Sequence, residues 1–287
     1  MTIIDAHHHF WDPDTGNFDW LSGPYAPLKR PFGPDDLRPS LAAAGVGATI
    51  LVQTQADIEE TRRFLALAET NDIIAGVVGW VDLCAGDVDG LLADLKAGPG
   101  GHRLVGIRHL VQDEPDPDWL LGEAPRRGLA AVVRHGLAYD LLLRPHNLPS
   151  ALDTVAAFPD LRFVIDHLAK PDIKGGGFTR WANLMQPFAR HRDHVWCKLS
   201  GMVTEADWQS WRPADLAPYV SRALSLFGPS RCLFGSDWPV CLVAGDYAQV
   251  FDALSQCLTG LGDADRQWVF EGSARALYRL EPKGDRA

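Results

Sequence analysis

Eight short apolar runs recur along the 287-residue chain, and nearly all are followed by a stretch with helical spacing. The runs lie at residues 3–9, 48–52, 73–81, 104–107, 137–143, 163–165, 195–199 and 232–234. Between them, helical periodicity covers 37–44, 58–69, 88–96, 148–158, 178–191, 216–227, 247–258 and 264–278, and a further helix, broken by Pro125, closes at Gly136. Strands alternating with helices form parallel sheets, because each crossover returns the chain to the same end of the sheet. Eight such units predict an α/β fold, a closed (β/α)8 barrel, which needs about 250 residues. The competing architecture is an open doubly wound sheet, but neither a GxGxxG nor a Walker A pattern accompanies it. No linker or low-complexity stretch interrupts the alternation, so residues 1–287 are expected to form a single domain.

One connection breaks the rhythm. Residues 12–39 form a long loop with six prolines and with Trp20, Tyr25, Lys29, Arg30 and Phe32. A loop this long carrying aromatic and basic side chains is expected to cover a site. The formal charge of −10, with no compensating Lys/Arg cluster, argues against a nucleic-acid partner. The five cysteines (Cys84, Cys197, Cys232, Cys241, Cys257) are odd in number and form no CxxC pair, so reduced thiols are expected. No basic segment precedes the first apolar run, and no run is long enough to span a bilayer. The expectation is a cytoplasmic protein without membrane contact.

In such barrels chemistry sits at the C-terminal ends of the strands. Here the first strand ends in His7, His8 and His9, with alternation pointing His7 and His9 the same way and His8 the other. The second ends in Gln53 and Gln55, the fourth in Arg108 and His109, the fifth in Asp140, the sixth in His167, the seventh in Lys198 and Ser200, and the eighth in Asp237. A single polar group at a strand end is usually a satisfied structural residue. Four histidines, an arginine and an aspartate converging on one rim point instead to catalysis. Asp237 follows Gly235-Ser236 and precedes Trp238-Pro239, and desolvation there is expected to raise its pKa and strengthen it as a base. The bland alternative is that Asp237 caps the following helix. Lys198 has two readings, a buried salt-bridge partner or a site residue.

The segments DAHHHFW (5–11), GIRHLVQDE (106–114), IDHLAKP (165–171), CKLSGMVTEADW (197–208) and LFGSDWPVC (233–241) together resemble the sugar-lactonase branch of the amidohydrolase superfamily, which includes L-fuconolactonase and L-rhamnonolactonase-like enzymes. The resemblance spans nearly the whole chain in order. It implies a (β/α)8 barrel that hydrolyses a lactone, with His7, His9, His167 and Asp237 as the catalytic set. The wider superfamily often binds two metals, with a bridging lysine after strand four and a histidine after strand five. Here His109 follows Arg108 at the first place and Asp140 stands at the second, with His146 further on. The expectation is therefore at most one divalent ion, zinc if one is used, on His7, His9 and Asp237, with metal-free catalysis as the alternative.

The reading is that Asp237 activates water against a lactone carbonyl polarised by His7, His9 and His167, while Arg108, His109, Gln53, Asp140 and Trp20 hold the substrate. Because the rim offers neutral hydrogen-bonding groups and few clearly placed cations, a sugar lactone is preferred over a carboxylated lactone of the pyrone dicarboxylate or muconolactone kind. A metal-dependent decarboxylase of the same superfamily and a non-catalytic sugar-binding barrel are the remaining rivals.

Overall fold

In a computed structural model describing residues 2–281, eight strands pair in parallel in the order β1 to β8. They are β1 Ile3–His8, β2 Val46–Val52, β3 Ile74–Gly79, β4 Leu104–His109, β5 Ala138–Leu141, β6 Arg162–Ile165, β7 Val195–Leu199 and β8 Cys232–Phe234. The helices are α1 Pro34–Ala44, α2 Ile58–Thr70, α3 Val88–Ala97, α4 Glu123–Arg134, α5 Leu148–Ala157, α6 Phe178–Met185, α7 Pro213–Phe227, α8 Tyr247–Cys257, α9 Asp263–Gln267 and α10 Ser273–Tyr278. The single-domain expectation also took in Met1 and residues 282–287, which lie outside the described residues.

Local chemistry sets several of these boundaries. Asp57, Asp87 and Asp246 accept hydrogen bonds from first-turn amides of α2, α3 and α8, satisfying donors that have no intrahelical partner. Gly45 stops α1 with φ 67°, a left-handed conformation that glycine adopts without steric cost. Pro125 lies within the first turn of α4, where a missing N–H costs nothing, so it does not break that helix as expected. The stretch 178–191 is shorter as an α-helix than its periodicity suggests, and tightens into a 3₁₀ segment at Gln186–His191 beginning beside Pro187.

Two apolar layers result. Ile4, Ala48, Ile50, Val78, Ala138, Val164, Trp196 and Leu233 fill the barrel interior, closed below by Ala274, Leu277 and Tyr278 of α10. The alternate strand residues pack outward against the helices. In β1 the alternation is interrupted, because three residues advance from Asp5 to His8 while β2 advances two, from Thr49 to Leu51. This bulge inverts the parity of the strand. Ile4 and Ala6 join the interior layer, and His7 and His9 then meet interior groups too, while Asp5 and His8 turn outward. Strict alternation would have put Asp5 on the side of His7.

The barrel closes at the C-terminal ends of its strands. The Asp237 N–H donates to the His7 carbonyl at 2.8 Å and the His9 N–H to the Trp238 carbonyl at 2.7 Å. Asp5 reinforces the seam: its Oδ1 accepts from the amides of His7 (3.1 Å) and Ser236 (2.9 Å), and its Oδ2 from the Tyr247 hydroxyl (3.0 Å). Burial pushes the Asp5 carboxyl up to about 6 despite these donors. No helix among the described residues is long and apolar enough to cross a membrane, and all five cysteines are free.

Candidate active site

The seam brings His7 and His9 on β1 against Asp237, which follows β8. Asp237 Oδ1 lies 3.8 Å from His7 Nε2, 3.4 Å from His9 Nε2 and 3.9 Å from His167 Nε2. His7 Nε2 and His9 Nε2 are 3.2 Å apart. All four side chains are buried. Asp237 takes φ 58°, in the left-handed region where a non-glycine residue is uncommon.

His167 is held in a rarer conformation. Residues His167, Leu168, Ala169 and Lys170 have φ of 53°, 53°, 57° and 50°, one left-handed turn after β6. Such a conformation costs about 1–2 kcal/mol per residue and persists where surrounding contacts fix it. Here the Lys170 N–H donates to the His167 carbonyl at 2.8 Å, and the Trp181 indole to the Leu168 carbonyl at 2.6 Å. His167 Nδ1 meets Ser200 Oγ at 2.9 Å. Two glycines make room for these rings. A Cβ on Gly201, at φ 61°, would lie 2.5 Å from His167 Nδ1, and one on Gly235 would lie 2.7 Å from His7 Cβ.

Beneath this floor lies a charged layer that faces no solvent. Lys198 Nζ stands 2.5 Å from Asp140 Oδ2, 3.0 Å from Asp166 Oδ1 and 3.0 Å from His7 Nδ1. Tyr278 donates its hydroxyl to Asp140 at 2.9 Å. Arg108 Nη1 donates to Asp166 Oδ2 at 3.0 Å and approaches His7 Nε2 at 3.2 Å, while Nη2 donates to the carbonyl and side-chain oxygens of Gln53. Asp166, for all its burial, is held well below the usual carboxylate range by Lys198, His7 and Arg108. Burial pushes Asp140 the other way, up to about 6. Asp166 is thus the more acidic of the two.

Above the floor is a cavity of about 320 Å³ walled by His9, Trp11, Trp20, Tyr25, Thr54, Arg108, Leu110, Gln112, Arg144, His167, Lys170 and Asp237, among others. The volume suits one small ring. The 12–39 loop covers it as expected: Trp11 pairs with Phe32 through backbone bonds of 3.1 and 2.8 Å, and Trp11, Trp20, Tyr25 and Trp208 form a chain of edge-on rings. Gln55, expected at the rim, binds the Asn17 amide at 2.8 Å and so holds that loop.

Several expected substrate contacts lie elsewhere. Gln53 and Asp140 are fully buried and committed to Arg108 and Lys198, below the cavity. His109, at an outward position of β4, bonds Glu114 Oε1 at 2.6 Å, accepts the Trp80 indole at 3.1 Å and stacks on Trp119 at 4.2 Å. It is a structural clamp outside the cavity wall, and His146 is exposed. The expected rise in the Asp237 pKa is also corrected. Burial does push it up, but His167, His9 and Lys170 outweigh burial and leave it below the ordinary value. Burial holds His167 down at about 4 and His7 well below the usual imidazole range.

The expectation of few cations on the wall fails as well, since Arg108, Arg144 and Lys170 all line it. Asp5, Asp166, Lys170 and Tyr25 were not singled out from sequence as site residues. Only the repeated position of polar residues just beyond strand ends could have flagged Asp166.

The donor set fits one divalent ion. The His9 Nδ1–H donates to the Val52 carbonyl at 2.8 Å, so when the ring is neutral its Nε2 lone pair faces Asp237 Oδ1. Two acceptors 3.4 Å apart need a proton donor or cation between them. His7, His167 and Asp237 can also converge on one ion. A second group, His7, Asp140 and Asp166, has the same character, but the Lys198 ammonium already stands among those atoms.

The amidohydrolase family model matches residues 4–280. The chain is 40% identical to the L-fucono-1,5-lactonase of Burkholderia ambifaria, covering 98% of this chain and 97% of that protein. It is 36% identical to the L-fucono-1,5-lactonase of Burkholderia multivorans over the same shares. A crystal structure of an amidohydrolase from Burkholderia multivorans with bound zinc superposes with a TM-score of 0.91 at 36% identity, over 98% of this chain and 100% of that one.

Proposed function

Since the chain belongs to the amidohydrolase family, we propose that it is a sugar lactonase, opening an aldonolactone of the L-fucono-1,5-lactone kind to the sugar acid. The observation that carries this reading is the approach of Asp237 Oδ1 to three imidazole Nε2 atoms within 3.4–3.9 Å at the floor of a ring-sized cavity. The names of the two related lactonases support the substrate class.

The chemistry follows from the donors and acceptors. Asp237, held ionised, accepts a proton from water, whose second hydrogen faces the His9 Nε2 lone pair. The water oxygen attacks the lactone carbonyl carbon. His167, with Nδ1 accepting the Ser200 hydroxyl, turns an Nε2–H toward the developing oxyanion, and the Arg108 guanidinium adds positive charge beside it. Direct polarisation thus rests on His167 and Arg108, whereas His9 serves as an acceptor at the floor and His7 accepts from Lys198 at Nδ1. A single divalent ion, zinc by the imidazole and carboxylate character of the donors, would be held by His7, His9, His167 and Asp237 with the Nε2 atoms unprotonated, and would supply Lewis-acid polarisation in place of the His167 N–H.

A carboxylated lactone of the pyrone dicarboxylate or muconolactone kind is the second reading, favoured by Arg108, Arg144 and Lys170 on one wall. Acid release from a panel of lactones, followed with a pH indicator, decides between them. Turnover of an aldonolactone above that of either carboxylated compound is expected. Faster turnover of a carboxylated lactone, or carbon dioxide release in place of ring opening, contradicts the sugar assignment.

A further inference from the structure

As a lactone opens, the electron pair of the breaking C–O bond passes to the ring oxygen. An alkoxide leaves poorly unless a cation or a proton meets it. Most donors on the cavity wall are already committed. Thr54 gives its hydroxyl to Glu60, Trp11 its indole N–H to the Leu28 carbonyl at 3.2 Å, and Gln112 its amide to Asp113 at 3.4 Å. Arg108 is tied to Asp166 and Gln53.

Lys170 is not committed. It lines the cavity, is half-buried, and its ammonium makes no hydrogen bond or ion pair with any described residue. A cation in such a place is expected to have a partner, and the opening in front of it is the cavity. Burial pulls its pKa below the ordinary lysine value, against Glu205 and Asp237, which push it up. The other uncommitted donors serve less well. Arg144 is exposed, so water already serves it, and Tyr25 is made a weaker acid by burial, Glu205 and Asp237. The position of Lys170 is also built rather than incidental, because it ends the left-handed turn that begins at His167.

We propose that Lys170 is a further catalytic residue, whose ammonium meets the ring oxygen of the lactone as the C–O bond breaks and gives it a proton. The inference rests on the lactonase reading. The water oxygen bonds to the carbonyl carbon and its proton goes to Asp237. The C–O bond to the ring oxygen breaks, and that oxygen keeps the electron pair and takes one N–H proton from Lys170 to become a hydroxyl. Asp237 then returns its proton to the Lys170 amine through water. Nothing is oxidised or reduced.

The test compares wild type with Lys170→Met and Lys170→Ala on the aldonolactone turned over best, with thermal unfolding of each. Lys170→Met is expected to lower kcat by about a hundredfold or more. Its KM should stay within about threefold, since an interaction made only in the transition state is lost. Its Tm should hold or rise, because an unpaired charge leaves the interior. Adding methylammonium to Lys170→Ala should restore about tenfold of the lost rate, with more acidic amines rescuing differently. A Lys170→Met enzyme keeping more than about a third of wild-type kcat overturns the inference alone. So does a fall in Tm with no amine rescue, the mark of a structural residue. A wild type inert toward every lactone overturns the lactonase reading itself, and the inference with it.

Discussion

The Lys198 ammonium reaches His7 at Nδ1, 3.0 Å away, while the other ring nitrogen faces Asp237. The lysine thereby ties the innermost histidine of the floor to the buried carboxylates Asp140 and Asp166. Removing one partner of a buried ion pair leaves uncompensated charge, at a cost of about 3–5 kcal/mol. Lys198→Met should lose stability of that order in urea unfolding, and adding Asp140→Asn should recover part of it. A loss under about 1 kcal/mol would mean that the network is already neutral.

The same geometry limits the metal content. Lys198 occupies the second ligand group, so dialysed protein should carry no more than one equivalent of tightly bound divalent ion by elemental analysis. Two equivalents, with activity following the second, would contradict this.

His8 gives a prediction in pH. It is fully buried, bonded through Nε2 to Thr49 Oγ1 at 2.9 Å, with no partner at Nδ1, and burial holds it down at about 3. Its folded pKa lies below the unfolded value, so between the two the unfolded chain binds more protons. The stability it contributes is present above pH 6.5 and lost as pH falls. Relative to His8→Gln, wild type should therefore lose about 2–3 kcal/mol between pH 6.5 and 4.5. A pH-independent difference would refute the buried neutral state.

Substrate hydroxyls should be read by Gln112, which lines the cavity and whose Oε1 has no partner. An unpaired acceptor of this kind discriminates by about 1–3 kcal/mol. Gln112→Leu should raise KM about tenfold with a smaller change in kcat, and a lactone lacking one ring hydroxyl should lose about tenfold in kcat/KM on wild type. Equal loss of kcat and kcat/KM in the variant would place Gln112 in the transition state instead.

Much of the fold was legible because its signal is periodic. Eight apolar runs and their helices lie within a few residues of where the pattern puts them, since burial on both faces of a parallel sheet demands such runs. The meeting of His7, His9, His167 and Asp237 was legible because strand ends share one rim. The failures have physical causes. His109 was assigned to the rim by adjacency to Arg108, yet one position along a strand reverses the face. Asp140 and Gln53 stand at strand ends as read, but lie one layer too deep, a distinction that depends on strand stagger. Lys170 reaches the cavity only through a left-handed turn that no propensity predicts. The bulge in β1 is equally silent in sequence, because its consequence, the pairing of His7 with His9, looks the same as simple alternation.

Asp237 carries the central claim, and its replacement by asparagine tests that claim most directly. Asn is nearly isosteric, so the seam bonds from the Asp237 amide and the floor should survive in circular dichroism and Tm. Ring opening of L-fucono-1,5-lactone, followed by NMR, should slow by about a thousandfold or more in kcat, since the group that takes the water proton is gone. A Asp237→Asn enzyme that keeps the fold and more than about a tenth of wild-type turnover would contradict the assignment of Asp237 as the base.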